Sequence, residues 1–428
     1  MTLIPNGYRP RLIDEQFARY LKIFGAVEIR GPKWCGKTWT ALSRCDDKVL
    51  IADPSNDYAN KALAQLDPKA VLQGKHPFLV DEWQEVPGLW DAVREAVDES
   101  PETGAYVLTG SARPREAKKK PVHSGTGRIA SIDMHPMTLT ESGDSTKEVS
   151  LSSLFVEPKR PIKGRVRYGI DDIIGFAVRG GWPRTANMPP EDGALTAKEY
   201  VRSITMGDDI EIDGVAFSPD KLGIFLRSFA RNTATLVSNE TVRKDTATND
   251  DPALSRTTFT DYINYLKRIY MMWEQPAFRP SLRSATRLRT SPKRHLADPS
   301  LAVACMNAGP RKLKQQLKTF GFVFETMVAR DLLVYSQCLG GTLMHYRDNS
   351  NLEVDAIVET EDGYAAIEVK VGAAQEDEAA ASLMAFEKKM VEGKEEAPLF
   401  KAVITGTGEF AHTRPDGIHV IPLGCLTL

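Results

Sequence analysis

The stretch Gly31-Pro32-Lys33-Trp34-Cys35-Gly36-Lys37-Thr38 constrains this chain more than any other, because it fits the phosphate-binding pattern G-x-x-x-x-G-K-[ST]. Such a loop works in one setting only. An apolar strand enters it, here Ala26 to Ile29, and a helix leaves it, here from Lys37. The glycines let the backbone curl until its N–H groups reach a polyphosphate. The helix start adds free N–H groups and a positive dipole end. Lys37 is the expected charge for the β- and γ-phosphates, and Thr38 the expected hydroxyl for Mg²⁺. Gly31 through Thr38, with Trp39 next in the helix, form the expected binding set for ATP or ADP.

The chain on either side of this loop alternates helix and strand. Residues 11–24 carry apolar positions at helical spacing and are expected to cover the first strand. Val49 to Ala52 reads as a second strand. Pro77-Phe-Leu-Val-Asp81-Glu82 reads as a buried strand that delivers two carboxylates at its C-terminal end, where parallel sheets bind ligands. Asp81 would complete a Mg²⁺ shell opposite Thr38, and Glu82 would polarise an attacking water. Ala105 to Ser111 is another apolar strand, and Thr109 at its polar end is placed to sense a γ-phosphate. The stretch 113–128 is basic and glycine-rich, and Gly127-Arg128 leads into a fifth strand at Ile129 to Met134. Strands alternating with helices predict a parallel sheet with right-handed crossovers.

Four ordered segments, GPKWCGKT, FLVDEWQEVPGLWD, YVLTGSARP and GRIASIDMHPMTLTES, resemble the bacterial and archaeal ATPase family whose AAA-like domain precedes a domain called DUF4143. The resemblance implies a P-loop AAA-like core with an additional strand, and makes Asp81 and Glu82 its Walker B pair. It also places an arginine at the position of Arg128. That residue reads either as an arginine finger or phosphate sensor, or as half of a structural ion pair. Trp34-Cys35 departs from the commoner family loop but leaves the glycines, Lys37 and Thr38 intact.

The middle of the chain is expected to connect and to contact. Residues 142–168 are polar and irregular and read as a linker or an excursion, and the pattern turns helical from Gly169. Gly180-Gly181-Trp182-Pro183 resembles the family's G-G-F-P turn and reads as a packing turn. Helices at 219–231, after Ser238 and after Ser255, followed by a hairpin, are the parts of a winged helix-turn-helix. In that reading Arg256, Thr257 and Thr260 face a major groove. Behind them Arg279 to Arg294 holds six cations and no acid, a basic wing that phosphates would attract. Residues 255–294 are therefore the expected DNA contact. The competing reading is a purely connecting fold.

In the last third, Glu325 sits among large apolar residues of a helix (319–335), where a lone carboxylate is costly. Asp355 lies on one expected strand, and Glu368 and Lys370 share one face of the next. Such an acid set suits one or two Mg²⁺ ions, and a lysine suits the attacking water or leaving phosphate. The pattern E…D…E-x-K resembles the PD-(D/E)XK nuclease fold, and the surrounding sequence resembles DUF4143. By that resemblance Glu325, Asp355, Glu368 and Lys370 are the candidate active residues, with Asp355 and Glu368 as metal ligands.

A chain of 428 residues exceeds one ordinary core. The expected division is 1–141 for the P-loop α/β domain and 142–214 for a linker and helical connector. A winged helix would then span 215–298, and an α/β nuclease-like domain 299–428. The net charge of −2 excludes a uniformly basic nucleic-acid coat, though not a local patch. No apolar run reaches the length of a membrane span, no secretory leader is visible, and five scattered cysteines suggest neither disulfides nor zinc. The expectation is a cytoplasmic Mg²⁺-dependent ATPase that couples nucleotide state to DNA, capable of homo-oligomers. The alternative is a nucleotide-dependent switch or interaction protein whose nuclease fold is silent.

Overall fold

Five parallel strands carry the N-terminal unit, and their order decides which polar residues meet. The computed structural model describes residues 3–114, 125–206, 211–212, 215–216, 218–247, 252–280 and 291–428. The basic loop at 115–124, part of the polar insertion (248–251) and the expected wing residues Arg283, Arg287 and Arg289 lie outside these described residues. Two compact units result, Met1–Pro136 with Asp209–Phe217 and Ile263–Met271, and Met137–Asp208 with Ser218–Tyr262 and Met272–Leu428.

The first unit runs α1 (Asp14–Leu21), β1 (Ala26–Arg30), α2 (Lys37–Leu42), β2 (Asp47–Leu50), α3 (Ser55–Leu66), β3 (Phe78–Asp81), α4 (Gly88–Glu99), β4 (Tyr106–Gly110) and β5 (Ile129–Asp133). Its described sheet has the order β2-β3-β4-β1-β5, all parallel, so β4 is inserted between the phosphate-loop strand and the carboxylate strand. The central strands β3, β4 and β1 are buried along nearly their whole length, as expected where both faces of a parallel sheet are covered. Val80, Trp83, Leu89, Trp90, Val93 and Leu108 form part of one buried cluster on this sheet. This is an α/β fold of the P-loop ATPase type.

The second unit continues with α5 (Leu139–Ser142), β6 (Val149–Ser150), α6 (Leu151–Val156), β7 (Lys163–Arg165), α7 (Ile170–Arg179) and α8 (Pro190–Thr205). The pair β8 (Glu211–Ile212) and β9 (Val215–Ala216) groups with the first unit. Then come α9 (Pro219–Arg231), α10 (Asn239–Lys244), α11 (Arg256–Arg268), β10 (Met272–Gln275), β11 (Lys293–Leu296), α12 (Pro299–Cys305), α13 (Pro310–Gln315) and α14 (Leu317–Cys338). The end is β12 (Thr342–Arg347), β13 (Glu353–Thr360), β14 (Gly363–Lys370), α15 (Glu376–Glu392), β15 (Phe400–Thr405), β16 (Phe410–Thr413), β17 (His419–Pro422) and β18 (Leu426–Thr427). Among the described residues, seven strands form one sheet in the order β12-β13-β14-β15-β17-β16-β7.

Within the stretch 142–168, β7 pairs with β16 at the edge of the large sheet and β6 pairs with β18. These pairings satisfy backbone groups that composition alone cannot assign. The first compact unit's main segment ends at Pro136, and the second unit begins at Met137.

The Gly180–Pro183 turn acquires a physical account. Gly181 N–H donates to Asp298 Oδ2 at 3.0 Å, and Met137 N–H donates to the Gly181 carbonyl at 2.6 Å. A β-carbon on Gly181 would stand 2.2 Å from the Met137 carbonyl oxygen, so only glycine fits. Trp182 donates to Ser300 Oγ at 3.0 Å and stacks on Tyr200. Beneath, Arg330 bridges Asp298 and Asp331 at 2.9 and 2.7 Å, a fully buried ion set with each charge paired.

Candidate functional site

The strand order brings most of the expected nucleotide-site residues together at the C-terminal ends of the strands. The phosphate loop leaves β1 at Arg30, and Gly36 at φ 107° turns it into α2. Lys37 is 5% exposed, and its ammonium donates to the Pro32 carbonyl at 2.9 Å, inside the curl of the loop. Thr38 Oγ1 donates to Asp81 Oδ1 at 2.7 Å. Thr109, fully buried on the inserted β4, donates to the same oxygen at 2.6 Å and accepts the Glu82 N–H at 3.2 Å. Burial raises the Asp81 carboxyl above its ordinary range, while the Thr109 and Thr38 hydroxyls oppose the rise. Glu82 adopts φ 57°, in the left-handed region, and its carboxylate accepts Ser111 Oγ at 2.7 Å and the Gln84 amide. A non-glycine residue held in that region stores backbone strain.

The expected residues do not all converge. Trp34 (φ 67°) and Trp39 stay about half exposed beside the loop. Arg128 precedes β5, whose first residue is level with Ala26, whereas the phosphate loop follows Arg30 at the other end of β1. Its partner is Asp98, at 2.8 Å. Within its own unit Arg128 therefore stands at the opposite sheet edge from the loop, and the structural ion pair is the arrangement present. Residues that motif reading passed over hold the loop from below. Arg11 donates to the carbonyls of Cys35 and His135, each at 2.8 Å. Glu28, in the centre of β1, accepts Trp83 Nε1 at 3.1 Å and Ser131 Oγ at 2.8 Å, and burial raises its pKa. A glutamate inside an apolar strand was the available signal for Glu28. Arg11, twenty residues upstream of the loop, offered none.

The second constellation opens onto a pocket of about 480 Å³ lined by Glu325, Glu353, Asp355, Glu368, Lys370 and Ser382 among others. The helix α14 and strands β13 and β14 thus bring all four expected residues together. Lys370 pairs with Glu368 at 3.3 Å, and Ser382 Oγ donates to Glu368 Oε1 at 3.0 Å. Asp355 Oδ2 accepts the Val369 N–H at 3.0 Å. Burial, and then neighbouring Asp355, raises Glu368 well above its ordinary value.

The residue the sequence reading placed elsewhere is Lys293. Counted among the cations of a phosphate-seeking wing, it is instead 1% exposed, with its ammonium 2.8 Å from Glu325, 2.9 Å from Glu353 and 3.2 Å from Asp355. Arg294, the next wing cation, pairs with Glu274 at 3.4 Å. Burial pushes Glu325 up to about 8, with Lys293 opposing and Asp355 and Glu353 adding to the rise. Asp355 stays below its usual range, since Lys293 and the Val369 N–H outweigh its burial. His295 and His345 are held neutral by burial and by the same ammonium, His345 at about 4. Glu353 carried a usable signal, being two residues before Asp355 and so on the same strand face. Among the described residues, no group of three histidine, cysteine or acidic side chains is placed to hold a metal ion.

Comparison with known proteins divides the chain in three. Residues 24–143 match a model described as an AAA domain, 170–312 a domain of unknown function (DUF8612), and 320–426 a domain of unknown function (DUF4143). No curated protein matches. Among solved structures, the Walker-type ATPase Paby2304 of Pyrococcus abyssi is 12% identical, with a TM-score of 0.42, over 68% of this chain and 94% of that one. The ORC2 protein of Aeropyrum pernix is 14% identical, with a TM-score of 0.30, over 74% and 98%. A RuvB of Thermotoga maritima is also 14% identical, with a TM-score of 0.30, over 64% and 94%. The chain thus carries a stretch that matches an AAA domain and, C-terminal to it, one that matches DUF4143.

Proposed function

We propose that this protein binds ATP and hydrolyses it with Mg²⁺, and that its nucleotide state governs DNA binding or processing by the rest of the chain. One observation carries the first part: Thr38, Asp81 and Thr109 form a single hydrogen-bonded chain, with Glu82 attached to it through its N–H. The Thr38 hydroxyl and the Asp81 carboxylate are the donor set a hard cation prefers, and they are adjacent. When bound, Mg²⁺ would neutralise charge on the β- and γ-phosphates.

The chain's own residues supply the rest. Loop N–H groups and Lys37 would cradle the phosphates, and Glu82, steadied by Ser111 and Gln84, would orient the attacking water. Thr109 holds both acids in register. The decisive experiment is ATP turnover by Glu82→Gln. ATP affinity should persist while turnover falls by about 10²–10⁴-fold. No ATP or ADP affinity in calorimetry, with Lys37→Ala matching the parent, would overturn the reading.

The reading of α9, α10, α11 and the β10–β11 pair as a winged helix is supported by their order and by the exposed face of Arg256, Thr257 and Thr260. Arg256 also lies 3.8 Å from Glu240, which tempers its charge. The reading of 299–428 as a nuclease-like domain is supported by the meeting of Glu325, Asp355, Glu368 and Lys370 in one pocket. A second reading, a nucleotide-dependent switch with a silent pocket, is favoured because those carboxylates are already engaged by protein donors. A cytoplasmic location belongs to the same proposal, and no helix among the described residues is long and apolar enough to cross a membrane.

A further inference from the structure

An ammonium group offers three N–H donors and no acceptor. At Lys293 three acid side chains answer those donors: Glu325 Oε1, Glu353 Oε1 and Asp355 Oδ1, between 2.8 and 3.2 Å away. A divalent ion bound by these acids would need the same oxygens and the same volume. Other acid oxygens of the set also face protein donors, Glu368 toward Ser382 and Lys370, and Asp355 Oδ2 toward Val369 N–H. The residue set that a nuclease-like fold would use for a metal therefore does not fit one while Lys293 is in place.

Nor is Lys293 a surface side chain that has folded inward. It belongs to β11, where it is paired with Gln275 of β10. The Gln275 amide donates to the Met344 carbonyl at 2.8 Å and to the Asp355 carbonyl at 2.9 Å, and its oxygen meets His295 Nε2 at 2.8 Å. The strand that supplies the cation is thus tied to the strand that supplies the acids. Burying a lysine is costly without partners, and breaking such a set strands the charges left behind.

We propose that Lys293 is the resident cation of the C-terminal pocket, and that a divalent ion and Lys293 exclude one another there. With β11 seated, the pocket holds its acids without a metal. The proposal rests on reading 299–428 as a nuclease-like fold, and it deepens that reading by naming what stands in the metal's place.

The test is Mn²⁺ binding by the nucleotide-free full-length chain, followed by electron paramagnetic resonance, with Asp355→Asn as the subtraction control. The parent should show no binding that Asp355→Asn removes. Lys293→Met should bind one Mn²⁺ at least about 100-fold more tightly, and lose it when combined with Asp355→Asn. Lys293→Gln, neutral but still a hydrogen-bond donor, serves if the methionine variant does not fold. A micromolar Mn²⁺ site in the parent that Asp355→Asn abolishes overturns the proposal, as does a folded Lys293 variant with the parent's Mn²⁺ affinity.

A DNA-nicking assay on the same proteins separates this from the underlying reading. Mn²⁺ binding by the Lys293 variant without cleavage upholds the exclusion and counts against nuclease chemistry. Metal-dependent cleavage by the parent does the reverse.

Discussion

Replacing Thr109 by valine keeps the shape of a fully buried side chain and deletes one hydroxyl. That hydroxyl makes two bonds, one given to Asp81 at 2.6 Å and one taken from the Glu82 N–H at 3.2 Å. A hydrogen bond to a charged acceptor is worth roughly 1.5–3 kcal/mol, and an orphaned buried N–H costs about 1–3 kcal/mol. Asp81 keeps its bond from Thr38, which limits the damage on that side. If about 2 kcal/mol of the loss falls on the transition state, kcat drops about 30-fold. Burial already raises the Asp81 carboxyl, and Thr109 is the foremost group opposing that rise. Its removal raises the carboxyl further, so the variant should need more Mg²⁺, increasingly so as pH falls. The assay is steady-state ATP hydrolysis across Mg²⁺ and pH, with ATP affinity in EDTA as the control for an intact loop. A Thr109→Val protein with the parent's kcat and Mg²⁺ requirement at the acid end would refute this reasoning.

Two other perturbations probe residues whose places the strand order decides. Arg128→Ala should leave turnover per chain unchanged in dilute protein, because Arg128 pairs with Asp98 at the sheet edge away from the phosphate loop; a dilution-independent fall in kcat would contradict that placement. Burial holds Glu325 protonated up to about 8, so its contribution to stability is fully present below the ordinary carboxylate range and lost as pH rises through 8. Glu325→Gln should therefore lose less stability than the parent between pH 5 and 8, by an amount on the order of a few kcal/mol, and parallel profiles of unfolding free energy against pH would refute it.

The candidate nucleotide site could be read from the sequence because its residues are largely contiguous. A glycine-rich loop must bring its own backbone to the phosphates, so Gly31, Gly36, Lys37 and Thr38 announce themselves within eight residues. Asp81, Glu82 and Thr109 were legible as polar ends of apolar strands, since parallel sheets present ligands at that edge. Periodicity likewise located the acids at 325, 355 and 368, because side-chain direction along a helix or strand is a local property. Arg128 shows the limit of that logic. A basic residue beside a strand looks the same at either end, and only register distinguishes the loop edge from the far one.

Lys293 shows the limit more sharply. It lies near the end of a run of cations that, by charge alone, reads as a solvated face awaiting phosphate. Local sequence records that it is a lysine two positions before His295, and so on the same face of a strand. What surrounds it comes from α14 and β13, 32 to 62 positions further along, and from the pairing of β11 with β10. Burial and partners are properties of the packed chain. Hence sequence by itself determined which groups could handle phosphate and which could gather acids, whereas tertiary structure decided that the acids close on a lysine. The physical reason is that a charge's role depends on the solvent and countercharge around it, and strands far apart in sequence supply both.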